Sequence, residues 1–558
     1  MTTRLPDKES LTVEFKSDRD KLPDSELVLA VVCLANTQGG TVYVGVEDDG
    51  TVTGLHRAHR GNVEGLAALI ANRTVPPLSV RVMAVEVEGH VVAAIEVPRS
   101  RRLVASSGGT LQKRRLKANG QPECVPFLPH EFPAHQADQG LLDYSALPVS
   151  EATEEDFDPL ERERLRRAVK RNRGDAALLG LDDAEFDGAL GLARREGERR
   201  VPTVAGLLLM GTEDALRTHL PAHEVAFQLL EGTEVRVNEF YRLPLVACFE
   251  RVEEHFLAHL VEEEVQAGLF RVPVPRVDRR AFREAVVNAI THRDYTRLGA
   301  VHVRWQLEEH LTVSNPGGFV EGVTLQNLLV VEPRPRNPLL ADALKRLGLA
   351  ERTGRGVDLI YQGMLRYGRP APNYGRSDEA GVVVELAARE ADLEFLRLVL
   401  EQEQKAGTNL PVDSLLALSC LRDEKRVDVG MVATAIQKDV VSARIVLERL
   451  VEAGIAQAHG VKKGRTYTLS AVVYRSLGDP SGYVRQAGFE PLQQAEMVKS
   501  YVREHGEIRR KDVIELCRLG PNQATRLLQA LVKGGSLEKH GIGKGTFYTR
   551  GANLRARS

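Results

Sequence analysis

Glu284 and Asn288 stand four residues apart in the segment Phe282-Arg-Glu-Ala-Val-Val-Asn-Ala-Ile-Thr-His-Arg-Asp-Tyr295, and on a helix that spacing puts both side chains on one face. A carboxylate so placed can orient and deprotonate a water, and the amide oxygen beside it can hold a Mg2+ that carries nucleotide phosphates. Two glycine-rich segments follow, Ser314-Asn315-Pro316-Gly317-Gly318 and Thr353-Gly354-Arg355-Gly356. They offer backbone N–H groups to phosphate and room for a base. Taken singly, each part is also an ordinary solvated helix face, turn or cap. The ordered series is what points to a nucleotide site. Arg293, just beyond His292, can reach a phosphate or pair with Asp294.

A second set of acids lies near the start of the chain: Glu9, Glu14 and Asp48, with Lys16 beside them. Glu14 and Lys16 are two apart on a predicted strand over 11–15, so they share a face. If that strand pairs near the end of the next one, over 41–46, Asp48 comes close to Glu14. Clustered carboxylates repel unless a cation neutralises them, so the set is a candidate Mg2+ or Mn2+ site, with Lys16 placed to stabilise a developing phosphate charge. The alternative is an exposed Glu-x-Lys pair and an Asp-Asp-Gly turn.

The elements that must position these groups are legible from periodicity. In the first 135 residues an apolar helix runs to Ala35, Gly39-Gly40 turns the chain into the 41–46 strand, and strands follow near 78–87 and 90–97. Arg99, Arg101, Arg102, Lys113, Arg114, Arg115 and Lys117 flank a turn at 106–109 with no acid among them, a basic hairpin suited to phosphates or to blocking strand aggregation. Residues 137–157 are acidic and polar, a linker, and 158–197 are helical and charged. The apolar run 201–211 reads as a strand and 252–267 as a helix. Strands near 300–314 follow, then a helix beginning at Arg336-Asn337-Pro338.

The chain has 558 residues, 75 Lys and Arg against 77 Asp and Glu, and 43% hydrophobic residues. That is several soluble domains with no global preference for a polyanion. Its five cysteines lie far apart with no metal-binding spacing, so neither a zinc site nor a disulfide framework is expected, and a cytoplasmic protein is. The apolar run 27–35 is too short to span a bilayer.

The tail hides an internal repeat. Residues 443–467 (ARIVLERLVEAGIAQAHGVKKGRTY) align with 524–548 (ATRLLQALVKGGSLEKHGIGKGTFY) at an offset of 81, with ten of 25 positions identical. Each copy reads as a helix, a strand, a His-Gly turn and a second strand, preceded by a short helix: a winged helix, whose second helix enters the major groove and whose wing touches backbone. Candidate DNA contacts are Arg444, Lys462, Lys463 and Arg465 in the first copy, and Arg509, Arg510, Lys511, Arg526 and Lys544 in the second. Residues 490–558 carry 13 Lys and Arg against seven Asp and Glu, so this end is basic. A winged helix that binds protein is the alternative.

Two resemblances sharpen these readings. The series from Glu284 to Gly356 resembles the GHKL (Bergerat-type) ATPase fold of gyrase, MutL and histidine kinases, in the divergent HATPase_c_4 branch of bacterial transcriptional regulators and RecG-helicase-related proteins. That likeness implies ATP with Mg2+, Glu284 as general base, Asn288 on the metal, Asn315, Gly317 and Gly318 at the adenine-reading box, and Gly354 and Gly356 near the phosphate lid. Asn315 stands where that family has Asp, a neutral and weaker acceptor. The residues Glu9-Ser10, Glu14-Phe15-Lys16, Leu34 to Gly40 and Gly45 to Gly50 resemble the Schlafen/AlbA_2 domain. In Schlafen nucleases two glutamates and an aspartate form a metal-dependent triad, at the positions of Glu9, Glu14 and Asp48, and two lobes make a basic horseshoe. One lobe here implies a homodimer.

The expected fold is α+β multidomain: a Schlafen/AlbA_2-like α/β domain over 1–136, a linker and helical connector over 137–200, a GHKL-like α/β sandwich over 201–390, and winged helices over 391–472 and 490–558, joined by a linker over 473–489. The function expected is an ATP-binding regulator of DNA, with RNA as the alternative polymer. The competing expectation is an endonuclease using Glu9, Glu14 and Asp48.

Overall fold

A computed structural model of the chain describes residues 5–117, 119–267, 270–351, 354–460, 465–476, 491–517, 519–541 and 546–555. They form two compact units, Met1–Leu142 and Asp143–Ser558.

The first unit is built from β1 (Val13–Lys16), α1 (Asp24–Ala35), β2 (Gly40–Val44), α2 (Gly65–Arg73), β3 (Arg81–Val87), β4 (His90–Val97), β5 (Gln112–Leu116) and β6 (Pro122–Pro126). The four-stranded sheet runs β1-β2-β4-β3, with β1 and β2 parallel and crossed over by α1. That helix is apolar nearly all round. Leu27, Val31, Val32 and Leu34 are buried with Val42, Val44 and Ile95 of the sheet. β5 and β6 pair as an antiparallel hairpin. Around the 106–109 turn, the strand Ala105–Ser106 pairs instead with Thr74–Val75, so that turn is not the tip of the basic hairpin. Cys33 on α1 and Cys124 on β6 form a disulfide across 91 residues, against the expectation of none. Separation along the chain does not limit a pairing that the fold closes. Cys248, Cys420 and Cys517 are free thiols.

The second unit opens with α3 (Pro159–Arg171) and α4 (Val204–Met210). It continues through β7 (Val225–Glu231), β8 (Glu234–Tyr241), α5 (Leu245–His259), β9 (Glu262–Ala267) and β10 (Phe270–Pro275). Then come α6 (Arg279–His292), β11 (Val301–Gln306), β12 (His310–Pro316), α7 (Pro338–Arg346), α8 (Gly356–Leu365) and β13 (Gly381–Ala387). A mixed five-stranded sheet runs β8-β7-β11-β12-β13, with β7 and β11 parallel. Two expectations fail here. The run 201–211 holds a helix, α4, begun by Thr203, whose hydroxyl accepts from Gly206 N–H at 3.0 Å. Because α4 is buried on every side, its sequence carries no period to read. The predicted 252–267 helix stops at His259, and β9 forms a hairpin with β10 instead.

The C-terminal part holds α9 (Leu393–Ala406), α10 (Val412–Glu424), α11 (Val429–Ala435), α12 (Val440–Glu452), β14 (Ala456–His459), β15 (Thr466–Leu469) and α13 (Ala471–Ser476). After it come α14 (Pro491–His505), α15 (Arg510–Cys517), α16 (Pro521–Lys533), β16 (Leu537–His540) and β17 (Phe547–Arg550). The sequence repeat is a structural one: α16, β16 and β17 repeat α12, β14 and β15 at the same offset, and each copy has a three-stranded sheet. Even a side-chain bond recurs, His459 to Thr468 at 2.9 Å and His540 to Thr549 at 2.8 Å. The two copies differ in what they pack on. One hydrophobic core runs from Ala152 to Tyr474 and joins Phe282 and Trp305 to Leu447 and Leu450, so it crosses the expected boundary at 390 without a break. The second copy has its own core, around Val498, Leu528 and Leu531. Among the described residues no helix is long and apolar enough to cross a membrane.

Candidate functional site

Asp278 begins α6 by accepting from Arg280 and Ala281 N–H, both at 2.9 Å. Phe282, Ala285, Val286 and Ala289 then bury the helix in the core, where Phe282 stacks on Phe256 of α5 at 3.8 Å between ring centroids. The flank left over carries Glu284 and Asn288, which face a cavity of about 230 Å³. Asn315, Gly318, Gly354 and Gly356 line the same cavity, so segments from Glu284 to Gly356 meet there. Gly317 stands just behind that wall. With φ +90°, it lets the chain pass where a Cβ would sit 2.7 Å from that of Asp294. Gly356, the first residue of α8, packs so closely that a Cβ there would lie 2.9 Å from Glu284 Oε2 and 3.5 Å from the Asn288 amide. The start of α8 is therefore held against the Glu284–Asn288 pair, and the N–H groups of a helix start favour an anion.

Glu284 is 7% exposed. Burial pushes its carboxyl up to about 7, with Arg283 opposing and Glu351 adding to the rise. Near neutral pH it can therefore both take and hold a proton. Asn315 donates its amide N–H to the carbonyls of Pro316 and Gly317, at 3.1 and 3.4 Å, which leaves its side-chain oxygen as an acceptor. Thr291 and His292 also line the cavity, as do Arg334 and Lys345. The buried Thr291 hydroxyl has no protein partner among the described residues. Burial drives His292 down to about 4, helped by Arg336 and Lys345, so its ring is neutral. Sequence reasoning missed these four, although for His292 the signal was present: 284, 288 and 292 are successive turns of one face. Among the described residues Arg293 neither lines the cavity nor forms an ion pair. It is fully buried, and its guanidinium donates to the carbonyls of Ala222, Asp294, Arg297 and Gly299. Asp294 pairs with Arg297 at 3.0 Å and Arg336 at 3.8 Å.

These residues suit a Mg2+–nucleotide. Asn288 and Glu284 would hold the metal, Gly356 would leave room for phosphate, Arg334 and Lys345 would supply positive charge, and Phe319, Val320 and Leu328 of the irregular 317–337 loop would give a base an apolar wall. The bound metal would supply charge neutralisation of the phosphates.

The N-terminal acids are arranged differently from expectation. In the β1–β2 register Glu14 lies opposite Val42, and Asp48 sits six residues further on, in an exposed turn. Glu14 instead pairs with Arg114, and with Lys16 at 2.6 Å. Burial works to raise the Glu14 carboxyl, but Lys16 and Arg114 together hold it below the ordinary range. Glu9 accepts from Phe15 N–H at 2.9 Å. Burial raises its carboxyl, as does nearby Glu14. Two acids are thus balanced by two cations, and among the described residues no group of three His, Cys, Asp or Glu side chains is placed to hold a metal ion.

The basic run is also corrected. Arg114 is 2% exposed and belongs to this buried cluster rather than to a phosphate rim. Lys113 bonds Glu131 at 2.5 Å and Arg115 bonds Glu123 at 2.7 Å. Acids outside the run fold back onto it, which a count within the run could not show. Arg99, Arg101, Arg102 and Lys117 are exposed.

In the tail, Arg444, Arg509, Arg510, Lys511 and Arg526 are exposed, while Arg465 turns inward to Glu448 at 3.1 Å and over the Tyr467 ring. Lys462, Lys463 and Lys544 lie outside the described residues. The copies present different faces. On α12, Val440, Val441 and Ile445 are 50%, 67% and 48% exposed. The equivalent places on α16 are Pro521, Asn522 and Arg526.

Residues 9–121 match the sequence model of the Schlafen AlbA_2 domain. Residues 300–386 match HATPase_c_4, described as "Putative ATP-dependent DNA helicase recG C-terminal". That stretch takes in both glycine-rich segments but stops short of Glu284 and Asn288. Residues 134–226 match DUF8451, a domain of unknown function. Among solved structures, the DIP2311 protein from Corynebacterium diphtheriae is 25% identical, with a TM-score of 0.50, over 84% of this chain and 94% of that one. The N-terminal domain of a RecG-related protein from Nitrosomonas europaea is 22% identical, over 22% of this chain and 88% of that one, with a TM-score of 0.16. No curated protein matches in sequence. The chain thus carries an AlbA_2 segment and a RecG-related ATPase-like segment.

Proposed function

We propose that the chain is an ATP-binding, nucleic-acid-binding regulatory protein whose hold on DNA depends on the nucleotide in the Glu284–Asn288 cavity. One observation carries this reading: Glu284, Asn288, Asn315, Gly318, Gly354 and Gly356, picked out by type and spacing, line a single cavity. Asn288 and Glu284 hold Mg2+ and the phosphates, and Asn315 accepts from the base. The C-terminal repeats are taken as winged helices. The second is the DNA reader, because its α16 shows Arg526 and Asn522 where the first shows Ile445 and Val441. The AlbA_2 segment supplies a further nucleic-acid surface through Arg99, Arg101, Arg102 and Lys117. The competing nuclease draws no support from the N-terminal geometry, where Glu14 is already neutralised by Arg114 and Lys16.

The test is Asn288→Ala in the full chain, measuring ATP–Mg2+ affinity and then DNA affinity with and without nucleotide. The variant should lose nucleotide binding, and its DNA affinity should no longer respond to ATP. Unchanged nucleotide affinity would overturn the placement of the site. An equal DNA affinity of the parent with and without ATP–Mg2+ would overturn the coupling.

A further inference from the structure

The loop that walls the cavity is fastened to the first C-terminal repeat by one side chain. Gln437, in the turn between α11 and α12, accepts from Leu329 N–H at 2.9 Å and donates to the Leu325 carbonyl at 3.0 Å. Leu329 lines the cavity, as do its neighbours Val323 and Leu328. Twenty-one residues without helix or strand separate β12 from α7, a length that in compact domains usually marks a functional loop. Gln437 has φ +56°, the left-handed conformation that closes α11, and its own N–H bonds the Thr434 carbonyl at 3.2 Å. Helix ends usually give that position to glycine. A glutamine there accepts a strained backbone and places a side chain across to the loop.

The same turn meets the cavity from a second side. Lys438 pairs with Asp413 of α10 at 2.6 Å. Both bear on Asp358 of α8, which lines the cavity: burial raises its carboxyl, Asp413 raises it further and Lys438 lowers it. Immediately beyond, Asp439 begins α12 by accepting from Val441 and Ser442 N–H at 2.8 and 2.9 Å. Any displacement of the turn is therefore passed to α12 at its first residues.

We infer that Gln437 is a latch that transmits occupancy of the cavity to α12. This rests on the nucleotide reading of the cavity. A ligand packed against Leu328 and Leu329 holds the loop down, tightens both Gln437 bonds and steadies the start of α12. By linkage, a partner that steadies α12 tightens the ligand. Two hydrogen bonds of one side chain make the connection physical.

Hydrogen exchange on the full chain tests it, comparing the parent with Gln437→Gly, which keeps the left-handed turn but removes the side chain. Without ligand, the variant should exchange the Leu329 amide roughly fivefold faster, the weight of one ordinary hydrogen bond. With ATP–Mg2+, the parent should slow exchange both in 323–331 and in 436–445, whereas the variant should slow only the first. An unchanged Leu329 amide in the ligand-free variant would overturn the latch. So would a response of 436–445 that survives in the variant, or one absent from the parent while its loop responds. If ATP–Mg2+ left the parent's loop unaffected, the nucleotide reading itself would fall.

Discussion

Replacing Glu284 by Gln should stabilise the body that contains the cavity, and only at high pH. The side chain is buried and its carboxyl is pushed up to about 7 from an ordinary 4.5. Between those values the unfolded chain has released its proton while the folded chain keeps it. The folded state binds more protons there, so stability falls as pH rises through that window and stays low above it. At 1.36 kcal/mol for each pH decade, the penalty above pH 8 is roughly 3 kcal/mol. Glutamine has no proton to lose. The variant should match its parent within about 1 kcal/mol at pH 5 and exceed it by roughly 2–3 kcal/mol at pH 8.5. Urea unfolding measures both, and the reporter is built in: Trp305 is the chain's one tryptophan, 1% exposed, 5.3 Å from the Phe256 ring that stacks on Phe282 of α6. Groups titrating alike in both proteins cancel in the difference. Equal differences at the two pH values, or a variant weaker at pH 8.5, would refute the reasoning. Added Mg2+–nucleotide should narrow the gap, since a cation beside the ionised carboxylate favours it.

Gly356→Ala should fold with a thermal midpoint within a few degrees of its parent, since the clash at 2.9 Å is with the free end of Glu284, yet it should weaken nucleotide at least about tenfold by displacing that carboxylate. Glu14→Ala leaves Arg114 buried without its carboxylate and should cost the N-terminal unit roughly 3–5 kcal/mol, seen as a lowered calorimetric transition. Asp48→Asn, in an exposed turn, should leave that transition alone. Asp48→Asn is therefore the cleaner variant for a cleavage assay with Mg2+ or Mn2+ on tRNA and DNA, and cleavage that it abolished would overturn the reading of these acids as ion-pair partners. Arg526→Glu should weaken DNA binding and lower its salt slope by about one or more, read from titrations at several salt concentrations.

How far the sequence could be read depended on whether a signal was local. Glu284 and Asn288 announced themselves because a helix converts a spacing of four into a shared face. The repeat was visible because its copies kept both length and order. The first N-terminal strand was found because apolar and polar residues alternate over 11–15. What failed was set by contacts between distant segments. The run 201–211 lost its period by being buried all round, and its one helix signal, Thr203 three residues before Gly206, is a small one. The 252–267 helix is cut short because residues 262–267 pair as a strand with 270–275, Glu264 meeting Arg271 across the hairpin and Glu263 and Glu262 meeting Arg276 and Arg279 beyond it. Arg114 looked like part of a basic rim because the acid that claims it is 100 residues away. The Cys33–Cys124 bond and the Gln437 bridge were out of reach for the same reason.

The unequal cores of the two repeats bear on how such a chain can change. Leu450 and Leu531 hold equivalent places, 81 residues apart, yet Leu450 shares a core with Phe282 and Trp305 while Leu531 does not. A void opened at 450 is felt by the helix that carries Glu284, whereas one at 531 stays within its own copy. Duplication thus left one copy within the shared core and one with a core of its own. The first can drift only as far as the cavity tolerates. The other can exchange its surface residues without disturbing the core that carries Glu284.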